Sequence, residues 1–226
     1  MSSVSKGVIY YTNNICDEEI FNTVLERLNR ICVGMELISV SHKPVNFGKN
    51  IVVDLPSCAD SILRQIYIGL LESTSDIIYL VEHDVLYHPS HFERIPRTPN
   101  QFLYNQNVWQ VDSTTGEALY RKSKRTSQLV MYRTGLMEYL EKVFKRIEEI
   151  GGYSQRIGVS PGTHRIKGID PGGLKEFNSR YPNVDIRHGN NLSEYIGREK
   201  REGGVPHWGR TKDRFNEFLK ESPNVN

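Results

Sequence analysis

At 226 residues, with 38% apolar and 25% charged residues, the chain can bury an ample core and is neither a disordered nor a membrane-spanning composition. No window approaches the roughly 18 apolar residues of a spanning helix, and the opening MSSVSKG lacks the apolar stretch of a secretory signal, so a cytoplasmic protein with no membrane partner is expected. The net charge of +2 hides an asymmetry, because residues 1–120 carry 8 Lys+Arg against 14 Asp+Glu whereas residues 121–226 carry 21 against 13.

In chain order, Gly7 to Tyr11 reads as a buried strand ending in Thr12, Asn13 and Asn14, polar residues that suit either a helix cap or contacts to a nucleoside. A helix is predicted over Asp17 to Ile31, with Ile20, Val24, Leu28 and Ile31 on one face and acidic residues at its positive start. Strands follow at Glu36 to Ser41 and Asn50 to Leu55. The loop between them contains Pro44 and Gly48 and is expected to close over a bound nucleotide. The helix Ser57 to Ser73 presents Ile62, Ile66, Gly69 and Leu70 for packing, while Arg64 and Gln65 face either a ligand or solvent. Cys16, Cys32 and Cys58 are widely spaced, odd in number and free of any C-x-x-C pair, as expected of free thiols in a reducing compartment.

The helix delivers the chain into Asp76 to Phe92, DIIYLVEHDVLYHPSHF, around which the rest is arranged. Its apolar run Ile77 to Val81 is one buried strand long and ends abruptly in Glu82, His83 and Asp84. Open α/β sheets bind ligands at the carboxyl ends of their strands, and carboxylates with one residue between them point the same way and suit a divalent cation. The competing reading is a solvated strand end with a helix-capping Asp.

Beyond this point Pro89 and Pro96 to Pro99 interrupt regular structure, and a β-hairpin is expected from Asn107 to Asp112 and Glu117 to Arg121. A strand at Ser127 to Tyr132 and an amphipathic helix from Thr134 to Ile150 follow. From Gly151 the chain is rich in Gly and Pro, and Asn183 to His188 is a last short strand. His207 and Trp208 fall in a turn before a short helix. The alternation of strands and helices predicts an α/β fold on a mostly parallel nucleotide-binding sheet flanked by helices, with a small mixed sheet on the acceptor side.

Four segments resemble a GT-A-type glycosyltransferase family of bacteria and phages: Glu82 to Phe92 (EHDVLYHPSHF), Tyr10 to Asn14, Pro161 to His164 (PGTH) and Asn183 to Leu192 (NVDIRHGNNL). The resemblance spans about residues 7 to 210. It implies one GT-A-like domain over residues 1–226, with a nucleotide-sugar-binding half at 7–92 and an acceptor half with a C-terminal closing loop at 93–226. It also implies Mn2+ or Mg2+ on the acidic triplet and a nucleotide-sugar donor, expected to be a UDP-sugar. Asp84 is then a metal ligand, Glu82 a ligand or ribose contact, and His188 or His207 an auxiliary ligand. Thr12, Asn13, Asn14, Gln65, Glu82 and His83 would meet the donor. Family members often carry Glu where this chain has Ser160, so the base is sought instead among Asp185, His164 and Asp170. The basic second half and the phage relatives suggest DNA bearing 5-hydroxymethylpyrimidines as acceptor, with Trp109 or Trp208 stacking on an extruded base; a glycan or small molecule is the alternative. No obligate protein partner is evident. A nucleotidyltransferase and a catalytically inactive nucleotide-sugar-binding module are the readings from other classes.

Overall fold

The computed structural model describes residues 4–163, 166, 169, 173–189, 191 and 201–225. Strand β1 (Lys6–Thr12) leads through α1 (Glu18–Ile31) to β2 (Glu36–Ser41) and β3 (Lys49–Val52), and α2 (Ala59–Glu72) leads to β4 (Ile77–Glu82). The second half holds β5 (Val85–Leu86), β6 (Gln101–Asn105), β7 (Val108–Asp112), β8 (Ala118–Tyr120), β9 (Leu129–Tyr132), α3 (Arg133–Glu149), β10 (Gly173–Phe177), β11 (Asn183–Arg187), β12 (Gly204–Val205), β13 (Gly209–Arg210) and α4 (Phe215–Glu221).

A seven-stranded sheet runs β10-β6-β9-β4-β1-β2-β3, and within it only β9 is antiparallel. This is the α/β architecture expected. A second sheet, β5-β11-β7-β8, covers one end, with β11 parallel to β7 and antiparallel to β5. Alternation along β1 and β4 explains the layering. Val8, Tyr10, Ile77, Tyr79 and Val81 point to α1 and the second sheet, whereas Ile9, Tyr11, Ile78 and Leu80 point to α2 and α3. Both central strands are buried on both faces, which is why the run after Asp76 is continuously apolar.

The first helix starts where Asp17 accepts a hydrogen bond from the Glu19 amide, with Glu18 and Glu19 at the positive end. Val24 and Leu28 are fully buried on its inner face, a burial that contributes about 1.5–3 kcal/mol for each such side chain. At Gly69 in α2 a Cβ would stand 2.7 Å from Ile9 Cγ2, so the missing side chain lets the helix lie close on the sheet.

Several expectations need correction. β3 ends at Val52 and not at Leu55, because β2 stops at Ser41, whose carbonyl takes the Val53 amide and leaves nothing further to pair with. β6 and β10 were not anticipated. β10 is an edge strand whose Lys175 and Glu176 are exposed, so it lacks an apolar signature. In the Pro44–Gly48 loop Phe47 is buried, Ser39 donates to its carbonyl, and Asn14 accepts from the His42 and Lys43 amides just before the loop, with His42 lining the cavity described below. Trp208 is buried too. Its indole donates to the Pro182 carbonyl and lies under the Arg27 guanidinium, so it is not available to stack on an extruded base. All three cysteines are free thiols, and among the described residues no helix is long and apolar enough to cross a membrane.

Candidate active site

The strand order reverses between β1 and β4, since β1 continues to β2 and β3 on one side while β4 lies on the other. The helical connections then diverge to opposite faces and leave a crevice beyond the carboxyl ends of these two strands. A cavity of about 720 Å³ occupies that position. Register places Tyr11 opposite Glu82, so Thr12 and the acidic triplet meet at its floor.

The turn after β4 is held rigidly. Tyr87 accepts from the Glu82 amide and donates to the Ser127 carbonyl, and the Ile186 amide donates to the Asp84 carbonyl. The last bond joins β5 to β11 and brings Asp185 and Arg187 to the wall opposite Asp84. The segment after β8 contributes Arg121, Lys124 and Arg125 to the same cavity.

Three carboxylates therefore share one space. Glu82 faces the hydroxyls of Tyr11 and Ser127; burial, then the charges of Asp84 and Asp185, push its carboxyl well above the ordinary range despite those hydroxyls. Burial acts on Asp84 in the same sense but is outweighed by the close approach of His188 and the charges of His83, His188 and Arg187, which hold it low. Asp84 Oδ2 accepts from Asn191 Nδ2 at 2.7 Å and lies 3.7 Å from His188 Nε2. Asp185 lies 3.3 Å from Arg125 Nε, 3.6 Å from Arg187 Nη1 and 3.5 Å from Gln110 Nε2. Burial and Asp84 push its carboxyl up, against the pull of both guanidiniums and the amide. Arg125 is itself mostly buried, and its Nη1 has no partner among the described residues.

Of the residues singled out from sequence, Thr12, Asn13, Gln65, Glu82, His83, Asp84 and Asp185 line this cavity. Gln65 spends its amide on the Thr12 and Val40 carbonyls, tying α2 to β1 and β2. Asn14 lies outside the lining, at φ 58°, and pins the following loop. Arg64 pairs with Asp60 on the surface of α2. His188 stands beside Asp84. His207 lies elsewhere, its ring stacked 3.8 Å from that of Tyr181 in a second, open groove that Trp109 also lines. His164 and Asp170 lie outside the described residues. Sequence reading passed over Arg121, Lys124, Arg125, Arg187 and Cys16; the run RKSKR after a predicted hairpin was the available signal for the first three.

A divalent cation, which the acidic triplet and the family resemblance imply, fits Asp84 and His188, since their facing atoms are spaced as two ligands of one ion are.

No family model matches this chain, and no curated protein matches it. Among solved structures, CMP:2-keto-3-deoxy-manno-octonic acid synthetase complexed with CTP is similar over 80% of this chain and 93% of that one, at 13% identity and a TM-score of 0.42. A likeness of that degree bears on neither activity nor substrate.

Proposed function

We propose that this protein is a cation-dependent glycosyltransferase that takes a nucleotide sugar, expected to be a UDP-sugar, into the cavity between β1 and β4. The observation that carries the reading is the convergence of Glu82, Asp84 and Asp185 with Arg121, Lys124, Arg125 and Arg187 on one cavity. A diphosphate needs cations around it, and a cation bridging it needs carboxylates. The position at the switch point supports a nucleotide ligand.

In the reaction the bond from the anomeric carbon to the diphosphate oxygen breaks, a bond to the acceptor oxygen forms, and the acceptor's proton leaves to a base. Thr12 and Asn13 receive the nucleoside, and Arg125 and Arg187 receive the diphosphate, whose charge rises as the bond breaks. Asp84 and His188 would hold a divalent cation, with Glu82 as a further ligand or ribose contact, and the cation would supply Lewis-acid stabilisation of the same charge. Asp185 is the assigned base. Its contacts of 3.3–3.6 Å are longer than charge-assisted hydrogen bonds and leave lone pairs free, and burial raises its affinity for the proton.

The acceptor is a 5-hydroxymethylpyrimidine of DNA. Residues 121–226 carry 21 cationic against 13 acidic residues, and Arg121 is exposed while also lining the cavity. The test supplies labelled nucleotide sugars with DNA containing hydroxymethylated or ordinary pyrimidines. Label enters the hydroxymethylated DNA alone, and DNA binding weakens with salt by a log-log slope of about −0.9 per neutralised phosphate. Transfer to a glycan or peptide instead, with neither DNA labelled, replaces this acceptor.

Asp185 also favours a second reading, nucleotidyl transfer, because it places a third carboxylate beside Asp84. The products separate the two: glycosyl transfer releases a nucleoside diphosphate, nucleotidyl transfer from a triphosphate releases pyrophosphate. Turnover of neither kind leaves a binding module.

A further inference from the structure

Behind Asp84, on the α1 side of the crevice, three elements bring a thiol and two imidazoles together. Cys16 comes from the turn between β1 and α1, His83 from the turn after β4, and His188 from the residue after β11. One donor atom from each lies within 4.8 Å of the others. Cys16 Sγ is 3.6 Å and Asp84 Oδ2 is 3.7 Å from His188 Nε2. Two ligands of a tetrahedral zinc ion, at about 2.3 Å for sulfur and 2.0–2.1 Å for nitrogen, stand about 3.6 Å apart, so these separations are those of a shared ion. His83 Nδ1 is buried with no partner among the described residues. Asn191 donates to Asp84 Oδ2 and holds that carboxylate beside His188.

From this geometry we infer that Cys16, His83 and His188 form a three-ligand site, with Asp84 adjacent to His188, for a borderline transition metal of the Zn2+ and Co2+ class, with the Cys16 thiolate as a ligand and the fourth position open. Mg2+ is disfavoured by this donor set, because it requires oxygen ligands in near-octahedral array, whereas thiolate and imidazole select zinc, cobalt or iron. The inference deepens the reading of the cavity as cation-dependent, but it specifies the ligand set and the metal independently of which group is transferred.

The test loads metal-stripped protein with Co2+ and with Zn2+. One ion binds per chain, the cobalt form shows the intense visible bands of tetrahedral geometry and a thiolate charge-transfer band in the near ultraviolet, and a tenfold excess of Mg2+ displaces neither. Cys16→Ser abolishes the charge-transfer band and weakens binding at least as much as the roughly 10–100-fold lost with outer-shell partners. Cys58→Ser, elsewhere in the cavity wall, changes neither. His83→Gln is the second variant: it weakens Co2+ binding and leaves the charge-transfer band at saturation. Weak octahedral cobalt bands, or a Cys16→Ser protein that binds and absorbs as the parent does, overturn the inference. Because the readouts are stoichiometry and spectrum, a cobalt signature without sugar transfer would leave this site standing while the transferase reading fails, and transfer supported equally by Mg2+ without a thiolate band would do the reverse.

Discussion

Arg125→Met isolates the diphosphate grip. Met preserves the apolar stem and removes a guanidinium whose Nη1 has no partner among the described residues and whose Nε lies 3.3 Å from Asp185. A hydrogen bond to a charged group contributes about 1.5–3 kcal/mol, and about 1.36 kcal/mol is tenfold, so losing one such contact to a phosphate weakens binding by roughly 10–150-fold. The fold tolerates the change. Asp185 retains Arg187 and Gln110, which limits the cost of removing one partner from a buried ion pair. Calorimetric titration of UDP and of uridine into both proteins reads the effect: UDP affinity falls by that factor, and uridine, which meets Thr12 and Asn13 but has no phosphate, binds as before. Arg125→Lys, which keeps charge without the two-pronged donor, falls between the two. UDP affinity within twofold of the parent in a folded variant refutes the assignment. Parallel losses for UDP and uridine show instead that the substitution deformed the cavity.

Asp84→Asn is expected to lower transfer by about 10²–10³-fold, the scale of losing one group that stabilises transition-state charge, with thermal unfolding little changed; near-parental cation-dependent turnover sinks the assignment. Glu36 concerns stability alone. Burial opposes its ionisation, but bonds from Ser73, Thr74 and Ser75 win and hold its carboxyl down to about 2 from an ordinary value of 4.5. A carboxyl lowered on folding stabilises above its unfolded pKa and loses that contribution as pH falls, so Glu36→Gln melts below the parent at pH 7 and the two converge between about pH 4.5 and 2. A constant gap across that range would mean the charge is irrelevant. His207→Ala removes the stack on Tyr181 and is expected to leave metal affinity unchanged by calorimetry; a tenfold loss would bring His207 back to the metal.

The nucleotide-binding half of the fold was legible because its physics is local. The continuous apolar run Ile77 to Val81 could only be a strand buried on both faces, and Asp17 announces α1 through its own capping bond. β6 and β10 were not legible, since their status depends on pairing with β9 and with each other and β10 keeps exposed charges. At the site, strand-end carboxylates could be named because the crevice of an α/β sheet is fixed by topology. Arg125, Cys16 and Arg187 could not, because what brings them to the carboxylates is the irregular segment after β8, the turn after β1 and the pairing of β5 with β11, none of which has a periodic signature. His207 shows the converse. An isolated histidine in a turn offers no information about which of two grooves it faces, and its aromatic neighbours Tyr181 and His88 are distant in sequence.

The loose contacts around Asp185 carry one more consequence. In the free protein burial and Asp84 push its carboxyl up, and the charges of Arg125 and Arg187 offset only part of that rise. At 3.3 and 3.6 Å these pairs are well outside the roughly 2.7–2.9 Å of tight charge-assisted bonds, so the guanidiniums are able to turn toward an arriving diphosphate. As they do, Asp185 loses part of the influence that lowers it and gains the negative charge of the donor nearby; both changes raise its affinity for a proton. Donor binding would in this way strengthen the base at the moment the acceptor hydroxyl must be deprotonated. The acid limb of kcat, which reports the bound enzyme, should therefore lie at higher pH than the acid limb of kcat/KM, which reports the free enzyme. Both are measured at saturating cation, so that the metal's own charge is common to the two. Asp185→Asn removes the limb from both profiles. Coincident limbs in the parent, or a limb that survives in Asp185→Asn, would assign the proton to another group and leave Asp185 only the task of positioning the two guanidiniums.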